Sequence, residues 1–142
     1  MLRIALQAGA WFRVANAMSK YENKKTGDLG EEMASRYLIK QGYEIIKRNF
    51  RSKYSEVDII AYKKPVLAFV EVKTKTSDQY GLPEEMVDDK KIGKIKNAID
   101  IVLSRWAKTK LEEPIARIDV ISIIINRFDE VNYFKHIENF DN

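Results

Sequence analysis

The sequence predicts an α/β fold, and three observations carry that expectation. Residues 54–62 and 66–74 are rich in β-branched and aromatic side chains, flank Lys63-Lys64-Pro65, and read as a hairpin. Apolar residues recur at helical spacing on either side of it: Leu29, Met33, Ala34, Tyr37 and Leu38 before, and Ile92, Ile95, Ile99, Val102, Leu103 and Trp106 after. A third run, 120–125, has the continuous apolar character of a buried strand. With 142 residues the chain can bury one good core and has no room for two ordinary domains.

Taken in order, the first twenty-odd residues combine Leu2, Ile4, Leu6, Trp11, Phe12, Val14 and Met18 with Arg3, Arg13 and Lys20, and carry no acid before Glu22. They read as an amphipathic helical extension, residues 1–23, ahead of a domain at 24–142. Arg13 interrupts the stretch, which is too short to span a bilayer convincingly, and no cleavage site follows a clean apolar run. Docking on the domain or self-association is therefore expected of it. Gly42 fits a helix stop, and Tyr43-Glu44-Ile45-Ile46 begins the first strand. Gly81-Leu82-Pro83 marks a loop before the second long helix, and Lys110-Leu111-Glu112-Glu113-Pro114 marks the next boundary.

The hairpin carries charge where a buried sheet should have none. Opposed residues of an antiparallel pair point to one face, so any register whose opposed numbers sum to an odd value puts Glu56, Asp58, Glu71 and Lys73 on the same side. The tightest such register has a two-residue turn at Lys64-Pro65 and sets Asp58 opposite Glu71 and Glu56 opposite Lys73. A slip of one residue would separate the carboxylates. Ile60, Leu67 and Phe69 share their face, which argues against a merely solvated Glu–Lys pair, because buried unpaired carboxylates cost several kcal/mol. Two converging carboxylates are a suitable first set of ligands for Mg²⁺ or a similar hard divalent cation. Lys73 would then stand ready to orient an attacking water or to stabilise a phosphoryl group.

Glu31 admits two readings. Asp28-Leu29-Gly30-Glu31 has the spacing of a capping box, with Asp28 as the N-cap. Glu31 also lies at the edge of the buried helical stripe, some 20° past Leu38, where it can reach a site on the sheet. Asp119 reads better as a salt-bridge partner of a neighbouring Arg or Lys than as a second acidic site residue. His136, the lone histidine, reads as a surface residue.

The chain has no cysteine, which removes disulfides, cysteine-rich zinc sites and thiol nucleophiles, and suits the cytoplasm. No glycine-rich phosphate loop is present. The net charge of +4 conceals segregation: residues 1–54 carry 11 basic against 5 acidic side chains, and residues 88–110 carry 7 against 3. Residues 111–142 reverse the balance, at 3 against 7. Lys47, Arg48, Arg51 and Lys53 just before the hairpin, and Lys90, Lys91, Lys94 and Lys96 at the start of the later helix, form a surface suited to a phosphate backbone. No base-reading motif is present, so structure-selective or non-specific binding is favoured over recognition by sequence.

The ordered motifs Gly27-Asp28-Leu29-Gly30-Glu31, Asn49-Phe50-Arg51-Ser52, Glu56-Val57-Asp58-Ile59-Ile60, Phe69-Val70-Glu71-Val72-Lys73-Thr74, Gly81-Leu82-Pro83 and Arg117-Ile118-Asp119-Val120 resemble the YraN family. That is a family of small bacterial proteins in the restriction-endonuclease-like PD-(D/E)XK superfamily, related in fold to archaeal Holliday junction resolvases. The resemblance covers residues 24–140. It implies a three-layer fold with a central mixed sheet flanked by helices, with Asp58, Glu71 and Lys73 at the catalytic positions and Glu31 at the helix glutamate of the resolvase branch. Ser55 stands where the family usually has glycine, and Lys75 where it usually has arginine; Lys75 joins the basic surface. The implied function is Mg²⁺- or Mn²⁺-dependent endonucleolytic hydrolysis of DNA, with branched DNA as favoured substrate and a homodimer expected from the resolvase relatives. The alternative is a non-catalytic nucleic-acid-binding module of the same fold.

Overall fold

The structure of the chain, a computed structural model, describes the backbone from Leu2 to Asp141 and side chains from Lys20 to Asp141. The expected apolar and basic face of residues 1–23 rests mostly on side chains outside that range. Five strands form one mixed sheet in sequential order: β1 (Glu44–Arg51), β2 (Glu56–Lys63), β3 (Val66–Lys75), β4 (Ile115–Ile125) and β5 (Val131–Ile137). Only the β3–β4 pair is parallel. A parallel pair needs a crossover, and α2 (Asp89–Ala107) supplies it, preceded by a short 3-10 turn at Pro83–Met86.

The sheet is covered on both faces, which makes the three layers. The face bearing Ile59, Ala61, Ala68, Val70 and Val72 packs on Ala34 and Leu38 of α1 (Leu2–Lys40). The opposite face, with Ile60, Leu67 and Phe69, packs on Ile92, Ile95 and Ala98 of α2. Alternation along each strand sorts the two cores, and β4 stays buried from Ile118 to Ile125 because it is covered on both sides. Gly42, at φ +94°, ends α1 in a conformation that disfavours side chains, and β1 begins two residues later. β1 is an outer strand; its register shifts between Ile45 and Lys47, and Asn49 has φ +53°.

Two expectations from the sequence change. The helix is continuous from Leu2 to Lys40, so Asp28 lies inside a helix and cannot be its N-cap. The capping-box reading of Glu31 fails for that reason. His136 is not a surface residue: its side chain is only 7% exposed, and its Nε2 lies 2.8 Å from Asp119 Oδ2 while its Nδ1 lies 3.1 Å from the Tyr37 hydroxyl. Asp119 is, as expected, a salt-bridge residue. Arg117 donates to both of its oxygens at 2.8 Å, and the Asn139 amide donates at 3.1 Å. Burial alone would raise the Asp119 carboxyl, but the hydrogen bonds from His136 and Arg117 hold it below its ordinary range.

Gly30 sets how closely α1 can approach the sheet. A Cβ there would collide with Thr74 Oγ1 and stand 3.1 Å from Thr74 Cβ. Gly30→Ala should therefore lower stability in urea unfolding by about 1–3 kcal/mol, the usual range for overpacking, and Thr74→Ala in the same chain should restore most of it. Equal stability of Gly30→Ala and the parent would show that α1 has slack at this point.

Candidate active site

The β2–β3 ladder pairs Lys63 with Val66, Tyr62 with Leu67, Ala61 with Ala68, Ile60 with Phe69 and Ile59 with Val70. This is the register expected from a two-residue turn at Lys64-Pro65. The backbone ladder ends at Ile59, and one position further on Asp58 takes over with its side chain: Oδ2 accepts the Val72 amide at 2.9 Å. Asp58 and Glu71 thus lie together at the end of the β2–β3 ladder, 6% and 2% exposed, with Glu71 turned toward α2. Just before β2 the chain is turned by the Ser52 amide donating to the Ser55 carbonyl at 3.0 Å and by contact of the two hydroxyls. Ser55, in the place of the usual glycine, is buried and hydrogen-bonded through this pairing.

The expected Glu56–Lys73 pairing is replaced by another. Glu56 is held by Arg51, by Lys91 at 3.1 Å and by Lys94 at 3.8 Å. Lys91 also lies 3.3 Å from Glu71 Oε2, within ion-pair reach but without hydrogen-bond geometry, so that this buried oxygen has no hydrogen-bond donor. The position of Lys91 follows from the start of α2. Asp88 is the N-cap, and its Oδ1 accepts the Lys91 amide at 2.8 Å, which fixes the first turn of the helix over the carboxylates.

Burial, and next the neighbouring Asp58 charge, push the Glu71 carboxyl up from its ordinary 4.5 to about 8, against the pull of Lys91 and Lys73. Glu31 approaches from α1. Burial first and the Asp58 charge second raise its carboxyl as well, opposed by Arg48 and Arg51. Both carboxyls are raised first by burial, and each by the Asp58 charge next. Among the described residues no group of three His, Cys, Asp or Glu side chains is poised for a metal, so there is no all-protein cage. The Asp58–Glu71 pair nevertheless fits Mg²⁺ or Mn²⁺, since Mg²⁺ is commonly held by one or two carboxylates plus water and substrate oxygens. The buried Glu71 Oε2, which accepts no hydrogen bond, has a lone pair to offer such a cation.

The predicted basic surface is partly committed to the protein itself. Arg48 pairs with Glu32 at 2.8 Å, Arg51 with Glu56, and Lys75 donates to the Gly81 carbonyl at 2.9 Å. Lys47, Lys53 and Lys90 are exposed. Lys73, Lys90, Lys91 and Lys94 line an open cavity of about 230 Å³ with Met86 and Asp88. Sequence reasoning missed Glu84. Its carboxylate accepts from the Tyr133 hydroxyl at 2.6 Å and from Ser122, so the turn before α2 is anchored across β4 and β5. A lone glutamate in a loop gives no sequence signal for that.

The Glu71 shift has a consequence for stability. Its folded pKa exceeds the unfolded value, so folding takes up a proton between about pH 4.5 and 8, and stability falls as pH rises through that window. In urea unfolding, the parent should lose stability relative to Glu71→Gln between pH 5 and 8. A pH-independent difference would place the Glu71 carboxyl near its ordinary range.

Comparison with known proteins gives a consistent assignment. The model of the uncharacterised protein family UPF0102 matches residues 30–123. The UPF0102 protein of Trichlorobacter lovleyi is 44% identical over 118 residues, covering 82% of this chain and 90% of the relative. That of Clostridium acetobutylicum is 45% identical over 117 residues, covering 82% and 93%. That of Persephonella marina is 45% identical over 114 residues, covering 80% and 90%. The matched span takes in Glu31, the whole hairpin and the start of α2, and the chain belongs to the UPF0102 family, the YraN-like family that its motifs resemble.

Proposed function

We propose that this chain is a Mg²⁺- or Mn²⁺-dependent endodeoxyribonuclease of the restriction-endonuclease-like PD-(D/E)XK type. One observation carries the reading: Asp58 and Glu71 lie buried beside each other on adjacent strands, in a register that brings Lys73 to the same face.

Asp58 and Glu71 would hold the cation. When bound, it lowers the pKa of a water and neutralises charge developing on the phosphoryl group. Lys73 orients the attacking water and offers its ammonium to the phosphate. Glu31, at the edge of the site with its carboxyl raised, assists as a proton acceptor from α1. The lysine-lined cavity beside Lys73 receives the phosphate backbone, and Lys47 and Lys53 are exposed to add to the basic surface. Such binding depends on charge, is weakened by salt, and suits recognition by shape. Branched DNA is the favoured substrate by resemblance to the resolvases, which also suggests a homodimer acting in the cytoplasm. Among the described residues no helix is long and apolar enough to cross a membrane.

A second reading has one observation in its favour. Lys91 already compensates part of the carboxylate charge, which a nucleic-acid-binding module without metal would need. Cleavage of labelled four-way, flapped, single-stranded and duplex DNA in Mg²⁺ or Mn²⁺ separates the two. The native chain should cut, Asp58→Ala should abolish cutting, and Lys73→Ala should slow it by about 10²–10⁴-fold. Salt-sensitive binding without cleavage in any metal would replace the nuclease with the binding module.

A further inference from the structure

We infer that Lys91 takes the place of a second divalent cation, so that the site is built for one metal ion and a tethered ammonium. This rests on the reading of Asp58 and Glu71 as metal ligands. A two-metal phosphodiesterase site sets its cations a few ångströms apart, about 3.5–4 Å, and bridges them with shared carboxylates. Here Glu56 and Glu71 both reach Lys91 on α2, and Asp58 adjoins Glu71 through its bond to the Val72 amide. The Lys91 ammonium stands between the two glutamates, 3.1 Å from Glu56 Oε1 and 3.3 Å from Glu71 Oε2, on a side chain 17% exposed. It neutralises those two carboxylates together, as a bridging cation would, and leaves Asp58 with the remaining ligand capacity of Glu71 for a single metal.

The ammonium is held there by more than attraction to the carboxylates. Asp88 caps the helix on the Lys91 amide at 2.8 Å, and Glu84 anchors the preceding turn to Ser122 and Tyr133. A side chain fixed at its own backbone exerts a high local concentration on its partners, which a free ion at ordinary concentration must exceed. Arg51 and Lys94 meet Glu56 from outside the pair, which lowers further the negative charge available to a second free cation. Lys91 therefore belongs with the acidic centre, although its place at the start of a lysine-rich helix suggests only a phosphate contact.

Calorimetric titration with Mn²⁺ alone, with no DNA present, tests this without relying on activity. The native chain should bind one Mn²⁺ per chain. Lys91→Met, which keeps the length and removes the charge, should bind two. Lys91→Arg and Lys94→Met should each remain at one, since the first keeps a cation between Glu56 and Glu71 and the second removes a neighbouring charge only. Two Mn²⁺ per native chain would overturn the inference even if Lys91→Met failed to fold. So would a folded Lys91→Met chain that still bound one. Either result, with binding abolished by Asp58→Asn, would leave the metal-site reading intact. Absence of Mn²⁺ binding by the native chain would remove that reading and the inference together.

Discussion

The hydrogen bond from the Val72 amide to Asp58 and the two-residue turn at Lys64-Pro65 fix which side of the sheet carries the charge. The turn sets the register, and the side-chain bond closes it at the point where the backbone ladder ends. A slip by one residue would send Glu71 into the apolar layer under α1, among Val70, Val72 and Ile121. With the register as it is, Glu71 faces α2 with Asp58 beside it, and the opening turn of that helix answers Glu71 with Lys91. The N-cap at Asp88 and the anchored turn at Glu84 both serve to bring that turn to the right place. Hairpin register, crossover and helix cap are thus successive solutions to one problem of buried charge.

Much of this was legible in the sequence because it depends on period and local chemistry. Alternation along residues 54–74 defined the hairpin and its register, the stripe from Ile92 to Trp106 defined α2, and Gly42 marked the end of α1. Asp119 was legible as a salt-bridge partner because Arg117 lies two positions away on the same face of one strand. The misreadings share a physical cause. His136 lies in a strand of mixed polarity, and only the packing of β5 beside β4 and near Tyr37 encloses it. Asp28 has good capping chemistry, but a cap forms only where a helix begins, and this helix begins much earlier.

The candidate site divides along the same line. Asp58 and Glu71 could be paired from the sequence because one turn separates their strands. Lys73 was expected to meet Glu56 by the same rule, yet Lys91 and Arg51 reach that carboxylate from elements the hairpin cannot specify. Long, flexible basic side chains choose partners by the field they meet, so a lysine read as a DNA contact can face inward. The same holds for Arg48 and Lys75, which were counted with the basic surface and are engaged by Glu32 and by the Gly81 carbonyl.

The irregular outer strand has a bearing on how copies of this chain can meet. An open sheet edge is a template on which a neighbouring chain can add a strand, with backbone amides and carbonyls as the adhesive. β1 interrupts that template twice, by the register shift between Ile45 and Lys47 and by the left-handed turn of the backbone at Asn49, and it carries Glu44, Lys47, Arg48 and Arg51 along its length. An incoming strand would lose alignment within a few residues and meet like charges on an identical partner. The sheet is therefore poorly suited to growing beyond one molecule from this side, which favours solubility in a chain whose interior is so rich in isoleucine and valine.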